Sequence, residues 1–229
     1  MNIYGMEKLS MVDFDGHLCT TLFLGGCNFR CPYCQNSDLV YLKNISSIPE
    51  AEIFDYLSKR KGIIDSVCIS GGEPTLYPQL YNFISKIKDL NLLVKLDTNG
   101  TNPALLQKLI DNKKIDYVAM DIKSNELGYL ENFACSPENL QNVKQSIEIL
   151  KKNAVNYEFR TTLVNELHTK NAIEDMAQLL KGAKKLYLQC FVDHPSNLVS
   201  GLSKVDKETA LFYKNILNNS IDQVYLRGY

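Results

Sequence analysis

Apolar positions along the chain alternate between two spacings. Short apolar-rich stretches at residues 20–24, 66–70, 92–97, 116–121, 157–164 and 185–191 read as strands. Between them, apolar residues recur every three or four positions, as on one face of a helix. Residues 49–61 carry Ile53, Phe54 and Leu57 at this spacing, with Pro49 at the start and Gly62 past the end. Leu80, Phe83, Ile84 and Ile87 mark the next helix. Leu105, Leu106, Leu109 and Ile110 follow the cap and first-turn pair Asn102-Pro103. Ser136-Pro137 opens a helix with the stripe Leu140, Val143, Ile147 and Leu150. Ile173, Met176, Ala177 and Leu180 mark another, ended by Gly182. A last helix starts near Asp206, and residues 223–226 are a candidate closing strand. The first 26 residues read as an extended region, with a turn at Asp15-Gly16.

Six repeats of strand then helix predict a parallel sheet with right-handed crossovers. An eight-unit barrel generally needs about 250 residues, and the chain has 229. The expected architecture is therefore α/β, a partial, splayed parallel (βα)6 barrel in a single domain. It should span residues 20–191, between an N-terminal extension (1–19) and a C-terminal helix and strand (192–229).

The strands carry a second pattern. Parallel strands buried on both faces should be apolar at both parities, yet several here are polar at one. Ser66, Cys68 and Ser70 share a parity, as do Lys95 and Asp97, Asp121 and Lys123, and Glu158, Arg160 and Thr162, with Gln189 on the sixth strand. The other parity is mostly apolar: Val67, Ile69, Val94, Leu96, Val118, Met120, Phe159, Leu186 and Leu188. A closed barrel packed with side chains would not hold so many charges. An open one with a polar lumen would.

Composition narrows the function classes. A net charge of −1 removes the electrostatic case for nucleic acid as a partner. No apolar run reaches the 18 residues of a membrane span, and the first residues lack the layout of a secretory signal. A cytoplasmic, reducing location is expected, in which seven cysteines stay free of disulfides. Three of them, Cys27, Cys31 and Cys34, fall within eight residues. Thiolates are soft ligands for zinc, copper(I) and iron–sulfur clusters. A structural zinc site normally closes with four protein ligands. Three thiolates on a cubane cluster would leave one iron with an open position.

Other polar motifs sit at the strand ends, where parallel barrels place their active sites. Ser70-Gly71-Gly72-Glu73-Pro74 ends the second strand and Asp97-Thr98-Asn99-Gly100 the third. Asp121-Ile122-Lys123 ends the fourth, and Arg160 lies on the fifth. Singly, each has a plain reading: a tight turn, a cap, a mutual Asp121–Lys123 ion pair, a lumen pair of Arg160 with Glu158. Their joint placement makes them converge on one mouth. Cys19, Cys68, Cys135 and Cys190 are isolated and read as buried small hydrophobes. Among His17, His168 and His194, only His194 lies where it could face the site.

On these motifs the chain resembles the radical S-adenosylmethionine (SAM) superfamily, in its three-cysteine loop with Tyr33 before the last cysteine and in its Gly-Gly-Glu segment. Within it, the chain is similar to the glycyl-radical-enzyme activating proteins, above all activators of anaerobic ribonucleoside-triphosphate reductase. Ser10-Met11-Val12-Asp13-Phe14, Cys31-Pro32-Tyr33-Cys34-Gln35-Asn36, Tyr157-Glu158-Phe159-Arg160-Thr161-Thr162 and Leu226-Arg227-Gly228 carry that likeness. Gln35 departs from it, standing where many activators have His. The resemblance implies a [4Fe-4S] cluster on Cys27, Cys31 and Cys34, with SAM on its fourth iron. It places Tyr33 at the adenine and Gly71, Gly72 and Glu73 at the methionyl amine. Asp121, Lys123 and Arg160 would meet the polar end of the cofactor. Asp97, Thr98 and Asp121 are similar to residues that hold a monovalent cation in some activators. The implied partners are a glycyl radical enzyme and a flavodoxin- or ferredoxin-type electron donor. Two other readings stand beside it: a radical enzyme acting on a small molecule, such as a deazapurine-forming synthase, and a non-enzymatic metal-binding module. The last leaves the polar strand ends without a purpose.

Overall fold

The computed structural model describes residues 1–42 and 45–229. Eight strands form one sheet in sequence order: β1 (Ile3–Ser10), β2 (Cys19–Leu24), β3 (Ser66–Gly71), β4 (Leu93–Thr98), β5 (Tyr117–Asp121), β6 (Asn156–Leu163), β7 (Lys185–Cys190) and β8 (Gln223–Arg227). β1 is antiparallel to β2, and every later pair is parallel. Among the described residues β8 pairs only with β7, so the sheet is an open half-barrel. Residues 223–226 lengthen its edge rather than closing it.

The helices are α1 (Ser37–Tyr41), α2 (Glu50–Lys59), α3 (Leu80–Asp89), α4 (Pro103–Asp111), α5 (Glu126–Asn132), α6 (Pro137–Lys151), α7 (Lys170–Leu179) and α8 (Lys207–Leu217). Side-chain caps start several of them. Asn102 accepts from Leu105 N–H, Ser136 from Asn139, Thr169 from Ala172 and Asp206 from Thr209. Each such cap stabilises by about 1 kcal/mol. None of these helices is long and apolar enough to cross a membrane.

The apolar parity of the strands and the helical stripes form one buried cluster, in which Val67, Ile69, Val94, Leu96, Val118, Met120 and Phe159 meet Ile53, Phe83, Leu109, Ile147 and Met176. Each fully buried side chain of this size contributes about 1.5–3 kcal/mol. The polar parity faces the lumen. Its floor is made by the segment expected to be a mere N-terminal extension. Phe14 packs with Cys19 and Cys68, Asp13 accepts from the Thr21 hydroxyl at 2.6 Å, and Lys95 donates to the Asp13 carbonyl. From β8, Arg227 lies over the Tyr187 ring at 3.9 Å and 3.6 Å from Glu158. Glu158 is thus held by Arg227, and by the Tyr117 hydroxyl at 3.0 Å. It does not pair with Arg160.

Candidate active site

The three-cysteine loop leaves the end of β2 and is fixed chiefly by backbone. Gly26 N–H donates to Leu39 O at 2.7 Å, Cys34 N–H to Cys31 O, and Arg30 N–H to Phe133 O. The Arg30 guanidinium caps the carbonyls of Cys27 and Phe29 at 2.7 and 2.8 Å. On the other side, the end of β3 presses against this loop. Gly72 N–H bonds Leu24 O and Glu73 N–H bonds Gly26 O, both at 2.8 Å. A Cβ on Gly72 would lie 2.0 Å from Gly26 O, and one on Gly71, at φ +118°, 2.3 Å from Leu24 O. Only glycine permits this approach. The segment after β7 straps the far side: Gln35 donates to Val192 O, Ser196 to Gln35 O, and Val199 N–H to Pro32 O.

A cavity of about 560 Å³ opens at the C-terminal ends of the strands. Cys27, Cys31, Cys34, Tyr33, Gly71 and Gly72 line it, facing Asp97, Thr98, Asp121, Lys123 and Arg160. The structure therefore brings together every expected site residue but one. His194 lines the mouth, with its ring bonded to Ser196. Cys190 lines it too, half-buried, unlike Cys19, Cys68 and Cys135, which are buried as expected.

The exception is Glu73. Its side chain is fully buried and lies outside the cavity wall. Thr75 N–H, the Thr75 and Thr98 hydroxyls and Asn99 N–H all donate to its carboxylate. Burial pushes its pKa up despite these donors. The expected carboxylate open to a ligand's ammonium group is instead a clamp between the ends of β3 and β4. Asn28 extends the clamp: its amide donates to the Thr101 hydroxyl at 2.9 Å and accepts from Asn99 at 2.8 Å. Asn28, Asn99 and Thr101 thus lock the cysteine loop to the end of β4. The sequence showed only an Asn-Gly turn there.

The opposite wall is a relay of charges. Lys123 Nζ bonds Asp121 at 2.9 Å, and Arg160 Nε bonds the other oxygen of Asp121 at 2.9 Å. Arg160 Nη1 lies 3.2 Å from Asp97, whose second oxygen lies 3.0 Å from Lys95. The parallel register that sets Asp121 beside Arg160 builds the centre of this relay. Burial would raise the acids and lower the bases, but mutual attraction prevails. Asp121 is held down to about 2 by Arg160 and Lys123, and Asp97 is lowered by Arg160 and Lys95. Lys123 is raised well above its usual value, chiefly by Asp121. The plain reading of an Asp121–Lys123 ion pair is therefore correct. Around the residues expected to hold a monovalent cation, the oxygens of Asp97 and Asp121 face three protein cations and the Thr98 hydroxyl donates to Glu73.

Because the folded pKa of Asp121 lies below its ordinary value, its ionised form stabilises the fold above about pH 4. That stability is lost as pH falls toward about 2, where Asp121 takes up its proton. Urea unfolding of the cluster-free protein should lose about 2 kcal/mol across this window from Asp121 alone. Asp121→Asn should remove that part of the pH dependence.

The donor set fits an iron–sulfur cluster. All three thiols are free and partly accessible on one wall. Burial pushes Cys27 up to about 12 and Cys31 up to about 11, so ligation must expel their protons. Among the described residues no three His, Cys, Asp or Glu side chains converge as for a single metal ion. A cubane, whose thiolates each take a different iron, requires no such convergence. Tyr33, buried beside the cysteines with Lys123 Nζ 5.9 Å from its ring centroid, has no hydrogen-bond partner for its hydroxyl among the described residues.

An open, mostly parallel α/β sheet with a three-cysteine loop at its strand ends defines a class, and comparison with known proteins identifies it. The family model described as the radical SAM superfamily matches residues 21–181. The chain belongs to this superfamily of enzymes, whose members imply a [4Fe-4S] cluster and SAM. A Methanocaldococcus jannaschii protein provisionally named a glycyl-radical enzyme activating enzyme is 37% identical over 196 residues, 82% of this chain and 79% of that one. The pyruvate formate-lyase-activating enzyme of Clostridium pasteurianum is 29% identical over 126 residues, 53% of this chain and 52% of that one. Among solved structures, Streptococcus suis SuiB bound to S-adenosylmethionine shares the fold, with a TM-score of 0.66 at 14% identity, over 91% of this chain and 52% of that one.

Proposed function

We propose that this enzyme installs a glycyl radical on a partner protein, an anaerobic ribonucleoside-triphosphate reductase. The carrying observation is one cavity in which three thiols face the wall of Asp121, Lys123 and Arg160, in a half-barrel that does not close. The name of the 37% identical relative supports the activating role. In this reading Cys27, Cys31 and Cys34 hold the cluster. The Gly71-Gly72 backbone receives the methionyl amine, Lys123 and Arg160 orient the carboxylate end, and Tyr33 lies against the adenine. Bound and reduced by a flavodoxin- or ferredoxin-type donor, the cluster supplies cleavage of the SAM sulfonium to methionine and a 5′-deoxyadenosyl radical. The protein's part is to hold that end of SAM in place, to exclude water, and to leave an opening through which a glycine-bearing loop can reach.

Anaerobic reconstitution, SAM and a reductant should yield 5′-deoxyadenosine. Adding an anaerobic reductase should then give the doublet of a glycyl radical in electron paramagnetic resonance. Cleavage without a doublet would favour action on a small molecule, such as deazapurine formation. No cleavage at all would overturn the assignment of the site.

A further inference from the structure

Lys123 stands just past the end of β5, where its backbone has no strand partner. Two buried side chains take over. The Tyr129 hydroxyl, from α5, accepts from Lys123 N–H at 2.9 Å. His168, in the loop after β6, places Nε2 3.0 Å from Lys123 O. A carbonyl can only accept, so Nε2 carries the proton. Nδ1 is then an acceptor and takes Val164 N–H at 3.0 Å, while the Val164 carbonyl, 3.1 Å from Nδ1, receives the His168 backbone N–H at 3.0 Å instead. The imidazole is 1% exposed, and burial lowers its pKa, which keeps it neutral in this tautomer. Its own carbonyl accepts from the Tyr213 hydroxyl of α8 at 2.9 Å. The ring therefore bridges the ends of β5 and β6 and is itself braced by α8. It is not among the residues that line the cavity.

We infer that His168 is a positioning residue for the SAM site: through the Lys123 carbonyl it sets where the Lys123 ammonium points. The inference rests on the reading that Lys123 meets the carboxylate end of SAM. A lysine side chain left to itself has many rotamers, and its direction is fixed from its backbone outward. Here one end is tied by Asp121 and the other by Tyr129 and His168.

Two variants separate this role from simple packing. In His168→Gln the amide nitrogen reaches about as far as Nε2 and can still serve Lys123 O. In His168→Asn the shorter side chain can keep the Val164 bond but not the Lys123 bond. Loss of a hydrogen bond to a buried carbonyl corresponds to about tenfold in binding. H168N should raise KM for SAM about tenfold with little change in kcat, and weaken SAM binding to the reconstituted protein in equilibrium dialysis to match. It should also reduce the change that SAM makes to the resonance spectrum of the reduced cluster, with iron content unaltered. H168Q should recover most of each effect. SAM binding unchanged in H168N, or lost equally in both variants alongside equal losses of thermal stability, overturns the inference. Lys123→Ala is the reference: if it too leaves SAM binding unchanged, the cofactor-site reading fails, and this inference with it.

Discussion

Cys31→Ala will give a folded protein that holds no iron–sulfur cluster and forms no 5′-deoxyadenosine. Cys31 lines the cavity between Cys27 and Cys34, and its thiol is bound in no disulfide. Its removal costs the fold only the packing of one sulfur, on the order of 1 kcal/mol, because the loop is held by backbone bonds and by Arg30. Two remaining thiolates cannot retain a cubane against reductant and solvent. Iron and sulfide analysis with visible absorbance reads the outcome, and circular dichroism verifies the fold. Cys68→Ala, in the lumen floor, should keep its cluster. A full cluster spectrum in Cys31→Ala would end the ligand assignment.

The second large effect falls on stability. Glu73→Ala strips four donors of their acceptor in a fully buried site. Unsatisfied buried groups cost about 1–3 kcal/mol each, and relaxation or water entry recovers part of that. A net loss of about 3 kcal/mol or more is expected in chemical denaturation. Cluster retention should fall as well, because Glu73, Asn99 and Asn28 tie β3, β4 and the cysteine loop together. A carboxylate serving only as a ligand for the methionyl amine would give another result: weaker SAM binding with unfolding unchanged.

Much of this was legible in the sequence because the physical signal was local. Strand and helix periods, caps such as Ser136 and Asp206, and the polar parity of the lumen need no tertiary knowledge. Convergence at the strand ends followed from parallel topology alone. β1 was harder to see: its pairing with β2 shifts register between Ile3 and Gly5 and again between Glu7 and Ser10, which breaks the period of two. α1 and α5 are too short for a helical stripe to show. Motif likeness assigned Glu73 to a ligand, but which way a carboxylate turns depends on donors two and twenty-five residues away. His168 looked like any solitary histidine, since its partners Val164 and Lys123 are backbone groups that leave no mark on residue identity.

The strand order has a consequence for how the chain assembles. Each strand pairs with its neighbours in sequence, so every strand–helix unit can dock as it emerges from the ribosome, without awaiting a distant partner. The charges in the lumen follow another schedule. Asp97 and Asp121 arrive on β4 and β5, but the guanidinium that joins them comes only with β6. A nascent chain halted before Arg160 would carry both acids without the cation between them. The sheet can therefore grow strand by strand, but the link between Asp97 and Asp121 is complete only with the sixth strand.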